Sequence, residues 1–499
     1  MSDGTQSVPD AGSGSRPKLA VVIMAAGKGT RLKSRRPKVL HEVGGKPLLQ
    51  HVIAAAMHIA DPHDIYAVVG HQAEQVRAAV SSTGIRFVEQ TEQRGTGHAV
   101  QSAGPAISGY DNILVLSGDV PLIQPEDLTA LWKFHQHHNA AMTLVSAEPE
   151  YPTGYGRIIH PSADSNASGK SDVSTDPAEV VAIVEQKMLA PEQLSLREIN
   201  LGLSAFRTET LLAHLGKLTT DNPHGELYLT DMARVLHDAG ERVLSLKTSE
   251  PDRLLGANTI AELVALDAAL RTATANRLMA AGVTIFRPET CVIDAEVEIA
   301  ADTIIEPFVQ LLGSTRIGTD CRIRSYTVIE NCTLGDSVLV RQSCVLADST
   351  IGNGSQLGPF ARLRPGCEIG EDVHIGNFVE AKKAKLAKGV KAGHLSYLGD
   401  AEIGEETNIG AGVITCNYDG VRKHVTRIGK GVFVGSDSTL VAPVSVEDGA
   451  YIGAGSCITK TVPEGALAVA RAHQFTKNGW AAAKRARDGA KQQREARAR

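Results

Sequence analysis

Two groups of residues in this sequence have the types and spacing to do chemistry. The first follows the apolar run LAVVIM (19–24) and reads AAGKGTRLKSRRPK over residues 25–38. Gly27 and Gly29 allow a backbone to come close to a ligand, and Lys28, Arg31 and Lys38 bring positive charge, which together suit a triphosphate. The segment is not a Walker A loop, since G-x-x-x-x-G-K-[ST] is absent. Nor is it a dinucleotide fingerprint, because Leu32 stands where the third glycine belongs. A Gly-rich turn between strand and helix would account for the same glycines. Asp119, in LSGDVPL (116–122), sits at the end of an apolar strand. It is either a turn former, as Gly-Asp pairs commonly are, or a ligand to something bound there.

The second group is spread over ARLRPG (361–366), NFVEAKKAK (377–385), KAGHLSYLGD (391–400) and TCNYDGVRK (415–423). These segments carry Arg364, Glu380, Lys382, His394, Tyr397, Asn417, Tyr418 and Lys423. Histidine titrates near neutrality and can take a proton from a reacting amine, while Arg364 and Lys382 offer charge to a phosphate. One histidine among 17 is more often a surface residue. His394 gains weight because GHLSY breaks the six-residue lattice described below, beside other polar residues.

These groups need elements to position them. The chain has 499 residues, with 51 Lys+Arg and 56 Asp+Glu for a formal charge of −5. That length suggests about three domains with ample cores. Hydrophobic content of 42% and charged content of 21% are those of a soluble globular protein and exclude wholesale disorder, collagen and a disulfide-rich miniprotein. The near-neutral balance gives no reason to expect nucleic-acid binding. All seven cysteines lie between Cys291 and Cys457 with no C-x-x-C pair, which argues against a zinc site. Their odd number points to reduced thiols and a cytoplasmic setting. The amino terminus, MSDGTQSVPDAGSGSRP, has no apolar signal-peptide core, and Leu19–Ala26 is too short to span a membrane.

Residues 1–17 read as a disordered leader. From 18 to 249, apolar runs at 19–24, 65–70, 85–90, 112–118 and 141–147 alternate with helical stretches such as 47–60. That order predicts an α/β domain with a mostly parallel sheet and a ligand site at the carboxyl ends of its strands. The polar segment 161–178 is expected to be an exposed insertion. Residues 258–281 carry a long helical pattern within a linker at 250–282, and the basic tail 481–499 reads as a solvated, frayed helix.

Between 283 and 480 the period changes to six. Aliphatics recur at 293, 299, 305, 311, 317, 323 and 329, then at 334, 340 and 346, then from 351 to 375, at 403 and 409, and from 428 to 458. At all 23 of these sites the residue two before is Ser, Thr, Ala, Val or Cys. A β-sandwich has no such constraint; a hexapeptide β-helix does, with one short strand per hexad and three hexads per coil. The lattice reads as interrupted at 376–402 and at 414–427, the second being a polar loop leaving the prism. Five cysteines fall in the small slot, where a free thiol packs as a small hydrophobe. Cys416 is left as the candidate for an exposed thiol near a site.

M-A-A-G-K-G-T-R followed by P-K, then QTEQRGTGHA (90–99), LSGDVPL, GYGRI (154–158), IVEQK (183–187) and EINLG (198–202), resembles in order the sugar-1-phosphate nucleotidyltransferases. Joined to a hexapeptide prism bearing GHLSYLGD and TCNYDG, the resemblance is to the bacterial family that pairs N-acetylglucosamine-1-phosphate uridylyltransferase with glucosamine-1-phosphate acetyltransferase. It covers about residues 18–480. The resemblance implies a Rossmann-like α/β domain joined by a helical arm to a left-handed parallel β-helix. It also implies UTP, acetyl-CoA and the two sugar phosphates as small-molecule substrates, a Mg²⁺ cofactor and a homotrimer, with no nucleic-acid or membrane partner. In the first domain it assigns Arg31 and Lys38 to the phosphates, Ala25, Ala26, Gly27, Gln90, Gly95 and Thr96 to uridine, and Gly156, Glu185, Asn200 and Asn258 to the sugar. Asp119 and Asn258 would hold Mg²⁺.

In the second domain His394 would be the general base, with Glu380 orienting it. Arg364, Lys382, Tyr397, Asn408 and Lys423 would bind glucosamine 1-phosphate, and Ala411, Asn417, Tyr418, Ser436, Ala454 and Arg471 acetyl-CoA. The segment after Glu185 reads QKMLA where the family commonly has a Lys-Asp pair, and Thr259 follows Asn258 in place of a second amide. Two other readings fit parts of the pattern. One is a single-activity nucleotidyltransferase whose prism only oligomerises it, for which His394, Tyr397 and the Asn417–Tyr418 loop would have no use. The other is a regulatory relative that binds nucleotide sugar, which would not need Gly27, Arg31, Lys38 and Asp119 together.

Overall fold

The computed structural model describes residues 17–161 and 177–498. The leader expected at 1–17, but for its last residue, and the insertion at 161–178, but for its ends, lie outside them. The chain divides into two compact units, 1–274 and 275–499.

In the first unit the main sheet runs Val243–Lys247, Met142–Ala147, Ile199–Arg207, Asn112–Ser117, Leu19–Met24, Ile65–Val69, Arg86–Glu89. Leu19–Met24 lies in parallel register with both neighbours, Val21 opposite Ile65 and Leu114. Its Ala20, Val21, Val22 and Ile23 are wholly buried, as expected for a strand covered on both faces. The helix Leu48–Ala56 buries Leu49, Val52 and Ile53 against the sheet, each contributing about 1.5–3 kcal/mol. All five expected strands are present. Four more strands join this nine-stranded sheet: the pair Arg157–Ile159 and Ala182–Val184, then Val243–Lys247 and the nine-residue Ile199–Arg207, the last being antiparallel to both neighbours in the main order. That last strand is broken by a register shift between Asn200 and Ser204, with Gly202 at φ 77°, so its alternation is lost in sequence.

The long helix is Ile260–Ala280. Its early residues Leu263 and Leu266 pack with Val43, Leu48 and Leu122 in the first unit. Beyond Thr274 its Ala275 and Leu278 belong to the core of the second.

The second unit is a hexapeptide β-helix of three parallel sheets, called here faces one, two and three, with 11, 10 and 9 strands and beginning at Thr284, Val292 and Glu298. The recurring aliphatics form its buried column. The small residue two before each is buried as well, and its chemistry explains the preference. Thr303 Oγ1 donates to the Gly318 carbonyl and Ser355 Oγ to that of Gly370, each at 2.8 Å, tying one coil to the next.

One expectation is corrected. There is no interruption at 376–402: Ala381, Leu386, Ala392 and Leu398 take the inward slots, fully or nearly fully buried, and the ladder continues with Glu380 opposite Tyr397 and Lys385 opposite Glu402. Alanine fills the slot with less volume, which a search for aliphatics passes over. The second break is real. Thr415 takes the inward position, the chain leaves at 417, and it rejoins face three at Thr426.

Two corners of the prism are glycine-lined. After face one come Gly358, Gly376, Gly393, Gly410, Gly435 and Gly453, and at all but Gly393 the reason is contact: a Cβ on Gly376 would lie 1.8 Å from the Gly393 carbonyl oxygen. After face two stand Arg364, Lys382, Gly399 and Cys416, so that edge carries side chains. A ridge of exposed Phe308, Tyr326, Phe360, Phe378 and Leu395 also runs along the prism, all at positive φ. Phe308 stacks on Tyr326 at 5.2 Å and Phe360 on Phe378 at 5.3 Å. Bulky side chains rarely accept that backbone region. The basic tail is the exposed helix Trp480–Ala498.

Candidate functional sites

At the carboxyl ends of Leu19–Met24 and Asn112–Ser117 lies a cleft of about 840 Å³. Arg31, Lys38, Thr96, Asp119, Glu185, Asn200 and Asn258 line it, so seven of the residues singled out in sequence converge. Lys38 Nζ is paired with the Asp119 carboxylate and donates to Asn258 Oδ1 at 3.0 Å. Ser117 Oγ donates to the other Asp119 oxygen at 2.5 Å. Gly256 backs this carboxylate so closely that a Cβ there would lie 3.0 Å from it.

The loop before Lys38 is shaped by Gly29, at φ 59°, where a Cβ would strike the Lys38 stem at 2.6 Å. Gly27 is different: it is exposed, with open space where its side chain would be. Ala25, Ala26, Gln90, Gly95 and Gly156 are not among the lining residues. Buried Gln90 donates through Nε2 to the Gly95 carbonyl at 3.1 Å, bracing the start of helix Thr96–Ile107. Gly156 abuts Glu185. Burial pushes the Glu185 carboxyl up from its ordinary range, against a hydrogen bond from Thr230 Oγ1 at 3.0 Å. Ser117, Thr230, Tyr228, His224 and Lys187 also line the cleft or support it, and sequence reasoning missed them. Only Ser117 had a signal, one residue inside the S-G-D motif.

On the β-helix, His394 ends a strand of face one and is exposed. Its Nδ1 lies 2.7 Å from Asn377 Oδ1, one rung away in register. The expectation that Glu380 orients His394 is overturned, because Glu380 accepts from Arg364 Nη1 at 3.2 Å on face two. An amide acceptor on Nδ1 places the ring proton there and leaves Nε2 as the basic nitrogen.

At the far edge of face two, Lys382 lies in register with Arg364 and beside Lys423. The Lys423 ammonium pushes the Lys382 pKa down, which marks cations held together with too little anion between them. Lys423 arrives on the loop that leaves the prism. There Asp419 accepts from the backbone of Val421 and Arg422 and from His424 Nε2, which together hold its carboxyl far below the usual carboxylate range. Asn417, nearly buried, donates to Asp400; Tyr418 is exposed and donates to the Gly420 carbonyl. Tyr397 stands between Glu380 and Ile414 on face two. Asn408 lies apart from these, on face one between Lys391 and Phe433.

The remaining candidates form a column. The register Ala392, Ile409, Val434, Ile452 sets His394, Ala411, Ser436 and Ala454 on successive coils at one corner. Asp437 N donates to the Ala411 carbonyl and Gly455 N to that of Ser436, both at 2.8 Å, and Arg471 Nη1 donates to the Ala454 carbonyl at 2.9 Å. Residues more than 70 positions apart in sequence thus line one edge.

The MobA-like NTP transferase domain matches residues 21–179, the GMPPB C-terminal domain 287–377, and the hexapeptide repeat of succinyl-transferase 425–460. The bifunctional protein GlmU of Koribacter versatilis (strain Ellin345) is 56% identical over 469 residues, 94% of this chain and 98% of that protein. That of Solibacter usitatus (strain Ellin6076) is 48% identical over 468 residues, 94% and 97% respectively. Fold and sites together define a two-site transferase, in which a nucleotidyltransferase unit is joined to a hexapeptide acyltransferase unit. The chain belongs to the bifunctional GlmU family and carries out uridylyl and acetyl transfer in UDP-N-acetylglucosamine synthesis. No helix among the described residues is long and apolar enough to cross a membrane.

Proposed function

We propose that the two activities divide cleanly between the units: uridylyl transfer at the Lys38–Asp119 cleft, built by 18–249 together with Asn258 of the following linker, and acetyl transfer at the His394 edge of the prism within 283–480. In the first reaction an oxygen of N-acetylglucosamine 1-phosphate attacks the α-phosphorus of UTP and pyrophosphate leaves, so no protein nucleophile is needed. The cleft's task is positioning and charge neutralisation. Arg31 and Lys38 hold the phosphates, Gln90, Gly95 and Thr96 the uridine, and Glu185 and Asn200 the sugar. The oxygens of Asp119 and Asn258 already converge on one cation, the Lys38 ammonium, and their hard-donor chemistry suits Mg²⁺. When bound there, Mg²⁺ would supply positive charge to offset that of the phosphates.

In the second reaction the amine of glucosamine 1-phosphate attacks the thioester carbonyl of acetyl-CoA, and the CoA thiolate leaves. His394 Nε2 accepts the ammonium proton, and Arg364, Lys382 and Lys423 hold the sugar phosphate. The observation that carries this assignment is the pairing of an Asn377-held imidazole on one edge of face two with an under-neutralised cation cluster on the other.

Two finer points rest on the same features. The exposed aromatic ridge of the prism favours packing against further copies of the chain, as a homotrimer with closed symmetry. The seven free cysteines, like the nucleotide and acyl-CoA substrates, suit the cytoplasm.

The test is a pair of assays on His394→Ala. Acetyl transfer should fall by about 10²–10⁴, while pyrophosphate release from UTP with Mg²⁺ and N-acetylglucosamine 1-phosphate persists. Parallel loss of both in a folded protein would overturn the division.

A further inference from the structure

We propose that Lys38 is the resident counter-ion of the metal position in the nucleotide-free enzyme, so that a divalent ion gains Asp119 and Asn258 only after a triphosphate draws the ammonium away. The inference rests on the assignment of Asp119 and Asn258 to the metal. Three observations carry it. Lys38 Nζ contacts both residues at once, occupying the point where their oxygens converge. The pair is largely shielded, with side-chain exposures of 18% for Lys38 and 12% for Asp119, so water does little to screen an ammonium from an arriving cation. The Asp119 carboxylate is also fixed in place by Ser117 and by the close backing of Gly256, leaving the four-carbon lysine stem as the part able to move.

An ammonium and a divalent cation cannot share the same two oxygens, so one must leave. The lysine has somewhere to go, because Arg31 and Thr30 line the same cleft where a triphosphate would lie. The phosphates thus play two parts for Lys38: they supply it with new anions, and by attracting it they open the oxygen pair. This makes metal and nucleotide binding reciprocal, each favouring the other through a single side chain.

The experiment measures Mn²⁺ binding to the full chain, without nucleotide and with UTP, by electron paramagnetic resonance of the free ion, in wild type, Lys38→Met, Lys38→Arg, Asp119→Asn and Lys38→Met/Asp119→Asn. Lys38→Met should bind Mn²⁺ at least tenfold more tightly than wild type, Lys38→Arg should resemble wild type, and the double variant should lose the gain. If Lys38→Met binds no more tightly without nucleotide, while the UTP complex of Asp119→Asn binds Mn²⁺ more weakly than that of wild type, the counter-ion role is overturned and the metal assignment stands. If Asp119→Asn affects Mn²⁺ binding in neither background, the metal assignment itself fails. Thermal melts establish that each variant is folded, and Lys38→Gln replaces Lys38→Met if the latter is not.

Discussion

The imidazole of His394 is held by Asn377, whose Oδ1 lies 2.7 Å from Nδ1 on the adjoining rung of the same face. The partner is an amide oxygen, which fixes the orientation of the ring. Asn377→Leu should lower kcat for acetyl transfer about tenfold, part of what a well-placed base contributes. Asn377→Asp should move the acid limb of the acetyl-transfer pH profile to higher pH, because a carboxylate there favours imidazolium. A purely structural asparagine would give neither split, and steady-state rates from pH 5.5 to 9 distinguish the two.

Lys382 is placed against Lys423, and the Lys423 and Arg364 charges outweigh that of the Asp400 carboxylate on it. Such an arrangement is relieved by an anion. Lys423→Met should raise the KM for glucosamine 1-phosphate about tenfold, with kcat changed far less and uridylyl transfer untouched. The KM difference should shrink at high salt, where exposed charges are screened.

Burial holds the His135 imidazole neutral, its pKa lowered to about 4, with Nδ1 on Thr143 Oγ1 at 2.9 Å. The unfolded chain takes this proton near pH 6.5 and the folded one only near 4. Stability is therefore intact above 6.5 and falls as pH drops toward 4, by at most about 3 kcal/mol. Trp132 stacks on this ring at 6.4 Å, so its fluorescence reports the unfolding. In a Trp480→Phe background, urea midpoints between pH 4 and 7 should slope with pH, and His135→Gln should flatten that slope.

Thiol reactivity separates the cysteines. Cys291, Cys321, Cys332, Cys344 and Cys367 are buried, and burial raises the pKa of Cys332 and Cys344 to about 11. The sequence points to Cys416 as the exposed thiol, but it is half-buried on the strand Ile414–Cys416, whereas Cys457 is exposed. An aromatic disulfide reagent at pH 8 should titrate Cys457 first and Cys416 more slowly, with the other five reacting only in denaturant.

Gly376 faces the Gly393 carbonyl with no room for a Cβ. Gly376→Ala should cost about 3 kcal/mol or more, because the obstacle is backbone. A thermal melt would detect it as a lowered transition. Acetyl transfer should fail before uridylyl transfer as temperature rises.

Much of the fold was legible because both periodicities follow from burial. Strands covered on both faces read as continuous apolar runs, and the prism repeats one inward slot every hexad. What escaped was whatever breaks a period without breaking the structure. Ala381 and Ala392 keep the slot at smaller volume, and the bulge at Asn200–Ser204 scrambles alternation in a central strand. In the sites, motif residues such as Lys38 and Asp119 were visible, yet their contact joins positions 81 apart. Thr230 carries no local signal at all, because its bond to Glu185 exists only once the sheet has formed. Asn377 was hidden for the same reason: its partnership with His394 depends on rung register, which sequence spacing alone suggested was interrupted there.

The corner column from His394 through Ala411, Ser436 and Ala454 to Arg471 is also a measuring device. Each coil advances by one strand spacing, so the three steps from His394 to Ala454 span about 14 Å, a length fixed by the ladder, and the Arg471 guanidinium bonds the carbonyl at its far end. A ligand gripped at Arg471 and reacting at His394 has to be an elongated one of that reach, and shorter thioesters can meet only one end. Removing or adding a coil between 395 and 453 would change the ruler while leaving every side chain at its two ends intact.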